Sequence, residues 1–309
     1  MVAGHIPVLF QETLRLLSPA PGEVFLDGTT GGGGHSEGIA RRIAPGGILV
    51  CADADPRMLD VATAHLRGFP GVRMVHADYS DFERLREAAG GRPFDGMLLD
   101  LGISSLQMDD PSRGFSFRED GPLDMRRDPG APVPAARDIL RRAKEKELAD
   151  IFYRFGEERF SRRIAKAIVS QRTRVPIERT SELAALVKRA VPRKAWPRDI
   201  HPATRVFQAL RIAVNRELDS LSDFLDGFAQ HLSEGGRVAV ISFHSLEDRM
   251  VKTAFRAGST GEKAVLTVMT RKPVIPGADE IRENPRARSA KLRAARRSGQ
   301  EESACKKSW

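Results

Sequence analysis

Four aspartates stand out by position. Asp27, Asp53, Asp78 and Asp100 each close or follow a short apolar run: Val24-Phe25-Leu26, Gly47 to Ala52, Val72 to His76 and Phe94 to Leu101. An ionised carboxylate at a strand end accepts hydrogen bonds from hydroxyls and pairs with ammonium groups. One such acid is unremarkable, because strands must end somewhere polar. Four in succession form a pattern. The first leads into Gly28-Thr29-Thr30-Gly31-Gly32-Gly33-Gly34-His35-Ser36. Glycines there let a ligand approach the backbone and supply positive φ. The strict G-x-G-x-x-G pattern is not met: counted from Gly31 its last position is Ser36, and from Gly32 it is Glu37. Asp53 follows Gly31 by 22 residues, about the spacing at which an acid meets ribose hydroxyls.

The elements between these residues must be helices. Ser36 to Ile43 reads as a helix with a Ser36 cap, and Arg57 to Leu66 as another, with Asp55 before Pro56 as its N-cap. Strands separated by helices of about ten residues imply right-handed crossovers and a parallel sheet. Ligands of such sheets sit at the carboxyl ends of the strands. Asp78 has a second reading, as a cap for the helix beginning near Ser80. Gly102 to Pro134 is irregular. Helical periodicity returns through Leu148, Ile151, Phe152, Phe155, Phe160, Ile164 and Ile168, and again from Thr180 to Val191. From Ala203 one long helix is predicted, through Val206, Leu210, Val214, Leu218, Leu221, Leu225, Phe228 and Leu232, before a buried strand at Arg237 to Phe243. The expected organisation is an α/β domain built from residues 1–110 and 206–309, interrupted by a mostly helical domain at 111–205.

The chain has 309 residues, 41% apolar and 29% charged, with two cysteines. That composition excludes a wholly disordered chain, and no apolar run is long enough to span a bilayer. Met1 to Leu9 lacks the basic start of a signal peptide. Cys51 and Cys305 cannot make a disulfide framework or a four-cysteine metal site. A soluble, cytoplasmic protein without a metal is expected; the oligomeric state is left open, a dimer included.

Charge is segregated. Residues 1–110 carry net −6, 111–205 net +10, 206–284 net −1 and 285–309 net +6. Segregated basic surface suits a polyanion such as nucleic acid. Solvated, arginine-rich helix faces are the other reading. The 113–126 loop interleaves Arg113, Arg118, Arg126 and Arg127 with Phe115 and Phe117. That mixture suits phosphate contact and base stacking, or equally anchorage of the loop in a core. Arg162, Arg163, Lys166, Arg172 and Arg174 form a second basic group, and the Arg/Ala-rich stretch from Pro285 reads as a charged tail.

Two cofactors fit the glycine turn. A nicotinamide dinucleotide needs amide donors and tolerates few acids near its pyrophosphate. S-adenosylmethionine has no phosphate and carries a sulfonium and an ammonium, so acids at Asp27 and Asp100 favour it, with Asp78 placed to meet the adenine amine. An oxidoreductase is disfavoured on that ground. A non-catalytic RNA-binding or assembly factor is disfavoured by the intact acids and glycines.

The chain resembles the ribosomal RNA small subunit methyltransferase H family. The likeness rests on His5-Ile6-Pro7-Val8-Leu9, the Asp27 to Ser36 turn, Leu99 to Gln107, Arg113 to Arg126, His201 to Arg205, Ser242 to Arg249 and Asn284 to Ser289. The resemblance implies a class I (Rossmann-like) S-adenosylmethionine-dependent methyltransferase with an inserted helical domain. It implies transfer to the N4 amine of a cytidine, position 1402 in the decoding region of 16S rRNA, so the small ribosomal subunit is the expected partner. It also implies donor binding by Gly33, Gly34, His35, Asp53, Tyr79, Asp100 and Gln107. Tyr79 is placed to flank the adenine. For catalysis, Asp100, Ser104 and Asp124 are the candidates; His244 is either an assistant or a capping or core histidine.

Overall fold

The computed structural model describes residues 7–197, 200–261 and 264–299. The start of the His5 motif, Cys305 and the final Lys306-Lys307-Ser308-Trp309 lie outside the described residues. The chain forms two compact units, one running to Gly102 and resuming at Asp219, the other Ile103–Leu218.

The first unit opens with α1 (Phe10–Leu17), β1 (Val24–Asp27), α2 (Gly34–Ile43), β2 (Ile48–Asp53), α3 (Pro56–His65), β3 (Val72–His76), α4 (Phe82–Ala88) and β4 (Phe94–Asp100). The second unit holds α5 (Ser105–Asp109), α6 (Ala136–Arg142), α7 (Glu145–Gly156), α8 (Ser161–Arg172), α9 (Thr180–Ala190) and α10 (Thr204–Asn215). Then come α11 (Glu217–His231), β5 (Leu232–Ser242), α12 (Ser245–Gly258), β6 (Leu266–Val268), α13 (Ala278–Glu283) and β7 (Lys291–Arg297).

Among the described residues seven strands form one sheet in the order β3-β2-β1-β4-β5-β7-β6. β1 to β5 are parallel neighbours, and β7 runs antiparallel to both β5 and β6. Alternation along the strands splits their side chains between two apolar layers. Val24, Leu26, Met97 and Leu99 face one layer with Phe224 and Phe228; Phe25, Leu49, Cys51 and Leu98 face the other with Ile39 and Leu292. All four residues of β1 are buried, as a central parallel strand covered on both faces must be.

Two expectations are corrected. The stretch after Pro285 is not simply a charged tail: Lys291–Arg297 is β7, inside the sheet, with Leu292, Ala294 and Ala295 buried. The long helix predicted from Ala203 is two helices, broken at Arg216, whose φ is 51°. The compact helical unit, Ile103–Leu218, spans the expected 111–205. Val206, Phe207, Leu210 and Val214 of α10 share a core with Leu148 and Phe152 of α7.

Candidate methyl-donor site

Asp27, at the end of β1, is buried. Its Oδ2 accepts from the Ser36 hydroxyl at 2.6 Å and its Oδ1 from the Thr29 amide at 3.2 Å. Burial lifts its carboxyl to about 6, against the lowering by those two bonds and with a further push from the Asp53 charge. Ser36 is thus not the cap of α2. That place belongs to Gly33, whose φ of 83° lies where glycine alone is unstrained.

Asp53 shapes the glycine turn from the neighbouring strand. Its Oδ2 accepts from the Gly31 amide and its Oδ1 from the Asp55 amide, both at 2.9 Å. Asp55 caps α3 as its sequence position indicates, accepting from the Arg57 amide at 3.0 Å. His65, the last residue of α3, is a contributor that no sequence pattern marks. Its Nδ1 lies 2.8 Å from the Gly32 carbonyl and its Nε2 2.9 Å from Glu37 Oε2. The ring thus bridges the turn's carbonyl and the Glu37 carboxylate. Arg41 first and His65 second hold the Glu37 carboxyl below its ordinary range. His65 therefore pins the turn from below, a role no spacing rule announces.

Asp100 closes β4. Its amide donates to the Thr29 hydroxyl at 2.6 Å, tying this strand end to the glycine turn. Its Oδ2 lies 3.6 Å from His35 Nδ1. His35 is buried, and its Nε2 sits 3.1 Å from the Val8 carbonyl; a carbonyl only accepts, so the proton belongs on Nε2. Asp100 Oδ1 is buried without a hydrogen-bond partner, although a quarter of the side chain's surface is exposed. Burial, then the charges of Asp27 and Glu247, push this carboxyl up to about 8. An orphaned carboxylate oxygen with so perturbed a titration marks a place prepared for a donor or a cation. It fits the ammonium end of S-adenosylmethionine.

Other expected residues have different surroundings. Tyr79 is 3% exposed and packs edge-on to Phe224, ring centroids 5.8 Å apart, within the apolar layer beside the strand. Asp78 accepts from the Ser80 amide and hydroxyl at 2.9 and 2.6 Å, forming a turn. Gly34 opens α2. His244 is the N-cap of α12 in a capping box with Glu247, the capping role among its alternatives. Cys51 is buried, and burial followed by the Asp27 charge pushes its thiol up to about 12.

In the second unit, Ser104 and Gln107 cap α5. Gln107 donates its amide to the Ser104 hydroxyl, and its Oε1 accepts from the Ser104 amide at 2.8 Å. Asp124 grips Arg126 through two bonds of 2.8 Å and lies 3.4 Å from Arg137. Burial works to raise its carboxyl, but the bonds from Arg126 outweigh that and hold it low. It positions its own loop and is poorly suited to accept a proton. Of the loop's arginines, Arg113 and Arg126 are engaged within the loop, whereas Arg118 is exposed. Arg113 is buried and donates to the carbonyls of Arg126 and Arg127 at 3.0 and 2.7 Å. Phe115 is in the core and Phe117 packs on Phe207, so anchorage, not base stacking, is their role. Arg172 donates to the Leu140 and Ala143 carbonyls at 2.5 and 2.7 Å, while Arg162, Arg163, Lys166 and Arg174 remain exposed.

A parallel sheet with one reversed strand near its edge, acids at its carboxyl ends and a glycine turn between the first strand and helix define a Rossmann-like S-adenosylmethionine-dependent methyltransferase. The profile of the MraW methylase family matches residues 2–298. The chain belongs to that family. It is 50% identical over 305 residues to the ribosomal RNA small subunit methyltransferase H of Anaeromyxobacter dehalogenans, covering 94% of this chain and 96% of that one. It is 50% identical over 294 residues to the protein of that name from a Cyanothece species, covering 95% and 94%. Among solved structures, a putative rRNA methylase from Clostridium thermocellum aligns with a TM-score of 0.46 at 9% identity, over 95% of this chain and 99% of that one.

Proposed function

We propose that this chain transfers a methyl group from S-adenosylmethionine to the N4 amine of cytidine 1402 in the decoding region of 16S rRNA. The substrate class is supported by the names of its relatives and by the net +10 of residues 111–205. The observation that carries the donor reading is the buried, unpartnered Oδ1 of Asp100 beside the glycine turn. Among the described residues no helix is long and apolar enough to cross a membrane. A ribosomal substrate makes the cytoplasm the place of action.

When bound, the donor supplies an electrophilic methyl on a sulfonium. The residues of the first unit supply binding and orientation. Asp100 Oδ1 takes the ammonium. Asp53, whose carboxylate has about four acceptor positions, shares them between the Gly31 and Asp55 amides and the ribose hydroxyls. The bond from the Asp100 amide to Thr29 keeps these two anchors in register. The N4 amine of cytosine is a weak nucleophile because its lone pair is delocalised into the ring. Alignment at a near-attack distance of about 3–3.5 Å is then the main catalytic contribution. The target base must leave its stack to reach that point. The amine gains positive charge as the bond forms, so its proton can pass to water without a strong base. Ser104, Gln107 and Asp124 have structural employment already, and this mechanism does not require them.

The test is nucleoside mass spectrometry of 16S rRNA treated with the enzyme and isotopically labelled donor. Label in N4-methylated cytidine at position 1402 is expected. Donor binding without any RNA methylation would instead favour a non-catalytic assembly factor.

A further inference from the structure

Two segments singled out by sequence, Ser242 to Arg249 and Asn284 to Ser289, hold none of the residues assigned to the donor, although the Glu247 charge acts on Asp100. They meet in one cleft of about 360 Å³ at the carboxyl end of β5. Phe243, Ile275, Pro276 and Ile281 give it apolar walls, and Arg288 and Lys291 supply charge. Ile275 is 65% exposed, unusual for a large aliphatic side chain. Arg288 is exposed and has no hydrogen bond or ion pair among the described residues. Lys291 shares Asp248 with Arg293, at 3.3 and 2.7 Å, so that single acid leaves an excess of positive charge. Of the nearby acids, Asp279 pairs with Arg282, Glu280 and Glu247 accept from the Leu9 and Phe243 amides, and Glu283 is exposed to solvent.

The cleft borders the exit of β4. Asp100 is in register with Ile241 of β5. Two residues past Asp100, Gly102 has a φ of 99°, and a Cβ placed there would stand 3.7 Å from the Phe243 ring. The ring therefore lies against the turn that leaves the donor site. An aromatic edge, an exposed aliphatic surface and unneutralised cations together match a nucleobase and its phosphate.

We propose that this cleft holds a nucleotide of the RNA strand flanking the target nucleotide, its base against Phe243 and Ile275 and its phosphate on Arg288 and Lys291. The proposal rests on the RNA-methylating reading above. The test uses Arg288→Ala, Ile275→Ala and the double variant, all at exposed positions. The RNA is 16S rRNA lacking the modification, both free and in the small subunit. The double variant is expected to raise KM for RNA about tenfold, with kcat at saturating RNA within about twofold and donor affinity unchanged. Losing one phosphate contact should make the slope of log affinity against log salt shallower by about 0.7. RNA carrying 4-thiouridine beside the target should crosslink to the 271–291 segment of the wild type. Unchanged KM and salt slope in a double variant, beside an active wild type, would overturn the cleft alone. A defect confined to the assembled subunit would overturn it too, in favour of a ribosomal-protein contact. A wild type that binds donor yet leaves RNA unmethylated would overturn the functional reading and the cleft with it.

Discussion

If Asp100 receives the donor's ammonium, donor affinity must follow the ionisation of that carboxyl. With a titration near 8 in the free protein, about a quarter of molecules carry the ionised form at pH 7.5 and about 1% at pH 6. Binding that requires the charge should therefore weaken roughly 25-fold between those two values. Near pH 6.5 almost every binding event should expel close to one proton. Isothermal titration calorimetry in two buffers of different ionisation enthalpy reads both quantities. Asp100→Asn keeps the shape and removes the charge. It should weaken binding about 10- to 100-fold at pH 7.5, the loss of one charge-assisted contact, and flatten the pH profile. Any slope left near pH 6 belongs to Asp27, which titrates there. A wild-type affinity constant from pH 6 to 7.5, or proton uptake on binding, would refute the assignment.

The same titration bears on folding. Between about 4 and 8 the folded protein keeps a proton on Asp100 that the unfolded chain has released, so stability falls as pH rises through that window. Asp100→Asn should accordingly be more stable than wild type at pH 8, by about 1–3 kcal/mol, a result scanning calorimetry can deny. Asp53→Ala should cost about 10- to 100-fold in donor affinity, since it frees Gly31 and removes the ribose acceptor; unchanged affinity in a folded variant would remove Asp53 from the site. RNA binding should weaken steeply with salt while donor binding does not. A flat RNA titration would mean the basic surface is only solvated. Arg113→Ala should destabilise the helical unit by roughly 1–3 kcal/mol by stranding two carbonyls, visible as a shifted urea midpoint.

The strands and their closing acids were legible because a buried parallel strand writes itself as an unbroken apolar run, and because the chain must turn polar where the sheet ends. The glycine turn was legible for the same local reason. What failed was non-local. Nothing in the sequence of this loop says that the guanidinium groups of Arg113 and Arg126 find carbonyls and a carboxylate within it. Arg216 breaks a helix by adopting a left-handed conformation that its side chain does not advertise. Lys-Leu-Arg-Ala-Ala-Arg-Arg looks like a solvated run until the sheet supplies partners: Asp248 for Arg293 and the Leu232 carbonyl for Arg297. His65 reaches Gly32 across 33 residues, and no periodicity encodes that.

The placing of β7 between β5 and β6 has a consequence for the order of synthesis. The helical unit is one continuous stretch and can pack as soon as Leu218 is made. The sheet cannot. Its first four strands emerge early, yet β5 carries an open edge until residues 291–297 arrive, and β6, made earlier, has only β7 to pair with. A nascent chain stopped anywhere between β5 and β7 displays a row of unpaired amides and carbonyls along an apolar strand, the kind of edge that recruits other chains. Premature termination here should therefore yield aggregates rather than a shorter soluble enzyme. β7 both seals the open edge of β5 and brings β6 into the sheet.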